Sequence, residues 1–243
     1  MIRIENVEVT GFMDAIRGMR NPMNSWEKSD SGECDNYFTK EHNCGFCDDG
    51  CYKGYYIGKN DYDLMIRLAR AGSEHAKYRR MIIVYADITA PLYWWKQFET
   101  YKIGTVSNSC STMHKIHSKP FTRDDFSHEY LTYYANDDES CLDFGDLFER
   151  LLGGLNVARD LYIKTDDKKW WWQMIQLLPE SYNQRRTVML NYEVLANIYR
   201  QRKDHKLDEW REFCKFIETL PMKDTIVFSS ANNDSESGEN IEK

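Results

Sequence analysis

The sequence predicts an α+β protein in which a few strands carry several longer helices. Two observations predict it. The run from Met81 to Thr89 is almost continuously apolar and rich in β-branched residues, as a buried strand requires. Beyond it, apolar residues recur at helical spacing through several stretches, the longest from about Glu139 to Ile163.

Ile2, Ile4, Val7 and Val9 alternate as an opening strand whose phase slips near Asn6. Arg17, Arg20, Asn21 and Asn24 follow, a polar group that either lines a pocket or caps turns. Residues 29–59 are rich in Gly, Asp, Asn and Cys and read as an irregular, Cys-rich loop insertion. A helix is expected from about Asp61 to Ala71, with Asn60 capping its start and Gly72 ending it. Pro91 should open a helix carrying Trp95 and Phe98. Ile103 to His117 is rich in Ser, Thr and Asn, which suits a binding loop better than a core element. Thr122, Asp124 and Asp125 form a helix-start signal.

In the long helix, Leu147, Leu151, Leu155, Ala158 and Leu161 should face inward, with Gly153 and Gly154 weakening its middle. Further helices are expected over Lys168 to Leu178, Thr187 to Lys203 and Leu207 to Leu220. Residues 1–228 read as one domain, and residues 229–243 as a polar, acidic, disordered tail.

The net charge of −7 argues against a bulk nucleic-acid partner, which needs a basic stripe to displace counterions. It leaves room for a small pocket that takes one phosphate. No apolar run approaches the roughly 18 residues that span a bilayer, and the first residues lack a signal-peptide core. The expectation is a cytoplasmic protein without a membrane partner. The 7 cysteines, an odd number, point to thiols or metal ligands rather than a disulfide framework.

Several residues have chemistry to offer. On a helix from Thr187 to Lys203, Asn191 and Arg202 would share an azimuth about 16 Å apart. They could address two ends of a nucleotide, or form a solvated polar face. Arg185, Arg186, Arg200 and Arg202 make a basic cluster in an acidic chain. The stretch Gly104 to Thr112 supplies hydroxyls, an amide and backbone N–H groups for a pyrimidine edge or a phosphate, or else bonds to itself as a turn. Cys110 within it reads as a packed thiol before a nucleophile. Cys34, Cys44, Cys47 and Cys51 contain one C-x2-C pair suited to zinc, against free thiols as the alternative. His114, His117 and His128 read as surface or structural residues, and Trp170 to Trp172 as core or subunit interface.

Two stretches resemble the flavin-dependent thymidylate synthases. The first runs from Ala90 to Ser111. Gln97 matches the family's Gln, and Asn108 and Ser111 match the Asn and second Ser of its loop if one residue is inserted. The second runs from Leu178 and Pro179 to Asn191, Asn197, Arg202 and Asp204, which matches the family's Leu-Pro, paired Asn and Arg-x-Asp. Asn60 to His75 resembles the helix leading into the family's Gly-His-Glu segment. The departures are as specific. Thr100, Tyr101 and Lys102 stand where the family has Arg-His-Arg, Ser109 stands for the loop Glu and Met113 for the loop Arg. A lysine cannot reproduce the planar guanidinium fork.

The resemblance implies a mixed sheet flanked by long helices and a homotetramer. It places Gln97, Asn108, Ser109, Ser111 and Arg202 on a nucleotide, and His75, Lys102, Asn191 and Asn197 near FAD, with reduced folate as carbon donor. Two functions follow. One is flavin-dependent transfer of a one-carbon unit to a pyrimidine deoxynucleotide. The other is an inactive scaffold that senses or sequesters a nucleotide or nucleotide-derived signal.

Overall fold

The structure is a computed structural model that describes residues 2–34, 51–52, 54–131 and 143–227. In chain order its principal elements are β1 (Arg3–Thr10), α1 (Phe12–Arg20), β2 (Gly32–Glu33), β3 (Cys51–Tyr52), β4 (Tyr55–Tyr56), α2 (Lys59–Arg70) and β5 (Ile83–Pro91). There follow α3 (Leu92–Phe98), β6 (Thr105–Ser109), α4 (Phe144–Thr165), α5 (Lys168–Leu177), β7 (Asn183–Asn191), α6 (Tyr192–Arg202) and α7 (Asp208–Ile217). The fold mixes helices and strands, as expected. Among the described residues no helix is long and apolar enough to cross a membrane.

The chain divides into two compact units. The first holds Met1–Val7, Tyr85–Met189 and Leu207–Trp210, and the second holds the rest. In the first, strands run in the order β1-β5-β7-β6. Asn6 sits in β1 with a left-handed φ of 52°, which is the phase slip legible in the sequence. Its amide donates to Asp87, which also accepts from Arg185 and Thr187, so one carboxylate ties β1, β5 and β7 together.

Apolar and aromatic side chains pack this unit in two places. Trp94, Trp95, Phe98 and Trp210 are buried with ring centroids about 5 Å apart along α3, and the Arg186 guanidinium lies 4.3 Å over the Trp95 ring. Phe126, Phe148, Leu155, Ala158 and Met174 form a second cluster where α4 packs on α5. The buried stripe of α4 passes through Phe148, Leu155 and Ala158. Leu147, expected inward, lies one residue round the helix and is exposed. Gly153 and Gly154 meet nothing within 4 Å, and packing against α5 outweighs their low helix propensity.

In the second unit α1, α2 and α6 surround a core of Ile16, Met65, Tyr78, Ile82, Tyr192 and Leu195. Sequence reading had no helix at α1. Gly11 starts it at φ 92°, and a Cβ there would meet the Met81 carbonyl oxygen at 2.2 Å. The start of α2 is capped from a distance. Asp30 accepts from the Asn60 and Asp61 backbone N–H groups, and the Asn60 side chain makes no cap. Gly72 does lie just beyond the helix end with φ 110°.

The stretch 187–203 is not one helix. Val188 and Leu190 alternate inward on β7, and Asn191 turns the strand into α6 as an N-cap whose side chain accepts from Val194 N–H. Asn191 therefore lies in extended backbone rather than on a helical face with Arg202. The helix-start signal at Thr122 closes as a capping box around a single turn, Arg123–Asp125. Residues 105–109 of the expected loop form edge strand β6.

Candidate functional site

In the first unit, β6 leads the chain into a turn, Cys110 to Thr112, that walls a cavity of about 350 Å³. That volume suits a small ligand. The turn is held to β7 by one backbone contact and one from the Gln184 side chain. Cys110 N–H donates to the Arg185 carbonyl at 2.9 Å, and the Gln184 amide donates to the Cys110 carbonyl at 2.7 Å. Ser111 Oγ accepts from the backbone N–H groups of Met113 and His114, so the loop bonds to itself and still presents the Ser111 hydroxyl at the cavity.

The cavity is cationic on several sides. Arg3, Lys115, Lys119 and Arg185 line it, with Asp124 and Asp125 opposing them. Lys119 is taken by Asp125 at 2.5 Å, Arg185 by Asp87 at 2.7 Å and Arg3 by Glu5 at 3.1 Å. Lys115 has no ion-pair partner among the described residues and is exposed. Behind the wall, the Thr89 hydroxyl is buried without a hydrogen-bond partner among the described residues. An unpaired buried hydroxyl costs on the order of 1–3 kcal/mol. Burial raises the Tyr182 phenol above its ordinary pKa, with Asp125 adding to the effect, so it faces the cavity as a neutral donor.

The residues singled out in the sequence separate between the two units. In the first, Ser111 lines the cavity, while Asn108 and Ser109 are exposed on β6 just before it. Gln97 is partly buried on α3, and its Oε1 accepts from Trp210 Nε1 at 2.9 Å. Lys102 is exposed. In the second, Asn197 accepts from Arg200, His75 is exposed beside Glu74, and Arg202 ends α6 half-buried. Of the proposed zinc ligands, Cys34 is a free thiol. Cys44 and Cys47 lie outside the described residues, as does the Cys51 side chain. No group of metal-binding side chains occurs among the described residues.

Sequence reasoning missed Arg3, Thr89 and Lys115. Two signals were visible: Thr89, a hydroxyl near the end of a mostly apolar strand, and the place of Lys115 within the stretch read as a binding loop. The basic cluster was visible, but its arginines are engaged. Arg186 bonds Gln184 and Glu99 while stacking on Trp95. Arg185 is held as a cation first by its hydrogen bond to Asp87.

This architecture is the fold of the flavin-dependent thymidylate synthases. Thymidylate synthase X from Helicobacter pylori, solved with FAD and dUMP, matches with a TM-score of 0.60 over 93% of this chain and 96% of its own, at 16% identity. A second structure of that organism's flavin-dependent enzyme, also with FAD and dUMP, matches with a TM-score of 0.58 over 89% and 94%, again at 16% identity. At such identity the likeness is one of fold. No family model matches the sequence, and no curated protein matches it.

Proposed function

We propose that this protein binds a pyrimidine deoxynucleotide, with its phosphate or its base edge at the turn Cys110 to Thr112. The observation that carries the reading is the cavity itself: the Lys115 cation, without an ion-pair partner among the described residues, and the Ser111 hydroxyl line one 350 Å³ space. A phosphate would find a cation and a hydroxyl donor there. Two structures of the same fold carry dUMP, which makes that nucleotide the first to try. Asn108 and Ser109 extend the same face, and the resemblance assigns Gln97 and Arg202 to a nucleotide as well.

The residues at positions 100–102 do not fit a flavin diphosphate held by paired guanidiniums. Thr100 donates its hydroxyl to the Gln97 carbonyl, and Tyr101 packs edge-on against Trp210 with centroids 5.9 Å apart. Lys102 is the single cation of the three. Binding without flavin-dependent transfer is therefore the better-supported reading. The second reading keeps FAD, to which the resemblance assigns His75, Lys102, Asn191 and Asn197, with reduced folate as donor. The FAD in both similar structures favours it. A homotetramer belongs to either reading.

Calorimetric titration of dUMP into the purified protein tests the proposal. Saturable binding, weakened by Lys115→Ala, is expected, and no heat up to millimolar dUMP sinks it. A visible flavin absorbance band in the same preparation would move the choice to the second reading.

A further inference from the structure

The second unit holds a larger groove of about 910 Å³, remote in sequence from the cavity at Cys110. Its long wall is the exposed face of α2, and Lys28 and Asp224 belong to its rim. Four cationic side chains line it, Arg20, Lys28, Arg67 and Arg70, against two carboxylates, Asp63 and Asp224. Arg20 is paired with Asp61, so three cations face two carboxylates, a slight local excess of positive charge in a chain of net charge −7.

Neither carboxylate pairs with these cations. Asp224 accepts from the Tyr62 hydroxyl at 2.6 Å. Asp63 stands four residues before Arg67, a spacing that permits an ion pair, yet none forms. Lys28, Arg67 and Arg70 are exposed and have no ion-pair partner among the described residues. Arg67 and Arg70 are three apart on the helix, so their side chains emerge side by side. Cations near a helix C-terminus interact favourably with its dipole, which alone could account for these two.

Arg20 also ends a helix, α1, but the dipole does not account for its burial. Its side chain is only 5% exposed. Nε donates to Asp61 at 2.6 Å and Nη1 to the Ser25 carbonyl at 3.3 Å. Nη2 has no partner among the described residues, yet the residue lines the groove. A buried guanidinium fixed on one edge thus offers its other edge to the same space that Arg67, Arg70 and Lys28 surround. The arrangement matches a multiply charged oxyanion, which guanidiniums bind through paired N–H groups.

We infer that this groove is a second ligand site, for the oligophosphate group of a small molecule, with Arg20 as the fixed contact and Arg67, Arg70 and Lys28 as the closing ones. A nucleic-acid backbone is the poorer fit, because the acidic chain repels a polyanion beyond the groove. Inorganic tripolyphosphate titrated into the full chain by calorimetry tests this. The expectation is saturable binding that weakens at least about tenfold in Arg67→Ala/Arg70→Ala, two exposed positions whose loss leaves the core intact. Repeated in the Lys115→Ala background, which removes the cation proposed to take a phosphate in the other cavity, the titration reads the groove alone and should show the same contrast. The inference is overturned by no saturable binding, by equal affinity in the double variant, by sulfate at matched ionic strength reproducing the heat, or by tighter binding of a single-stranded oligonucleotide.

Discussion

Asp61→Asn should be the most damaging conservative substitution in the second unit. Asp61 is fully buried, and its two oxygens accept five hydrogen bonds. Oδ1 takes Arg20 Nε, and Oδ2 takes the Ser29 and Ser31 hydroxyls together with the Asp30 and Ser31 N–H groups. An Asn must turn its NH2 group toward donors on one side or the other, and it leaves the Arg20 charge without a counter-ion. Breaking a buried pair in this way costs about 3–5 kcal/mol. For a chain of this size that lowers Tm by roughly 6–20 °C. Burial by itself would raise the Asp61 pKa, but the hydrogen bonds from Ser29, Ser31 and Arg20 and the Arg20 charge outweigh it and hold it below the ordinary value. A depressed folded pKa stabilises above the unfolded value of about 4, and that stability fades as pH falls through the folded pKa. Urea denaturation of both proteins from pH 7 down to pH 3 should therefore show a gap that narrows at the acid end. A loss under about 1 kcal/mol at pH 7 would refute the reasoning.

Gly11→Ala should cost more than about 2 kcal/mol by the same assay, because it forces an alanine to φ 92° and drives its Cβ into the Met81 carbonyl. Gly153→Ala, in open helical surroundings, should stabilise by about 0.5–1 kcal/mol. Peptide-resolved iodoacetamide labelling at pH 8 should modify exposed Cys110 and leave Cys214 intact. Burial, with Glu218 and Asp204 nearby, pushes the Cys214 thiol up to about 12, so it carries almost no thiolate there.

Where the sequence was legible, the signal was local. The phase slip at Asn6, the helix stop at Gly72 and the helix after Pro91 each depend on one or two neighbouring residues. What stayed hidden was set by partners far along the chain. Arg20 read as a pocket-lining or turn-capping residue, and its partner Asp61, 41 residues on, gave no local signal. Asn60 looked like a cap, but Asp30 does that work from across a loop. Thr187 to Asn191 fits a helical register with the residues after it, yet Val188 and Leu190 also fit a strand, and pairing within the sheet decides between them. The candidate site was half legible. Ser111 was visible through its loop chemistry, whereas Lys115 and Arg3 reach the cavity only through folding.

The central claim is that the cavity beside the Cys110 turn takes a nucleotide. Cys110 lines that cavity and Cys34 lies in the other unit, so one labelling experiment carries its own control. With saturating dUMP, alkylation of Cys110 should slow severalfold while that of Cys34 holds its rate. Unchanged labelling of Cys110 at every dUMP concentration would contradict the account.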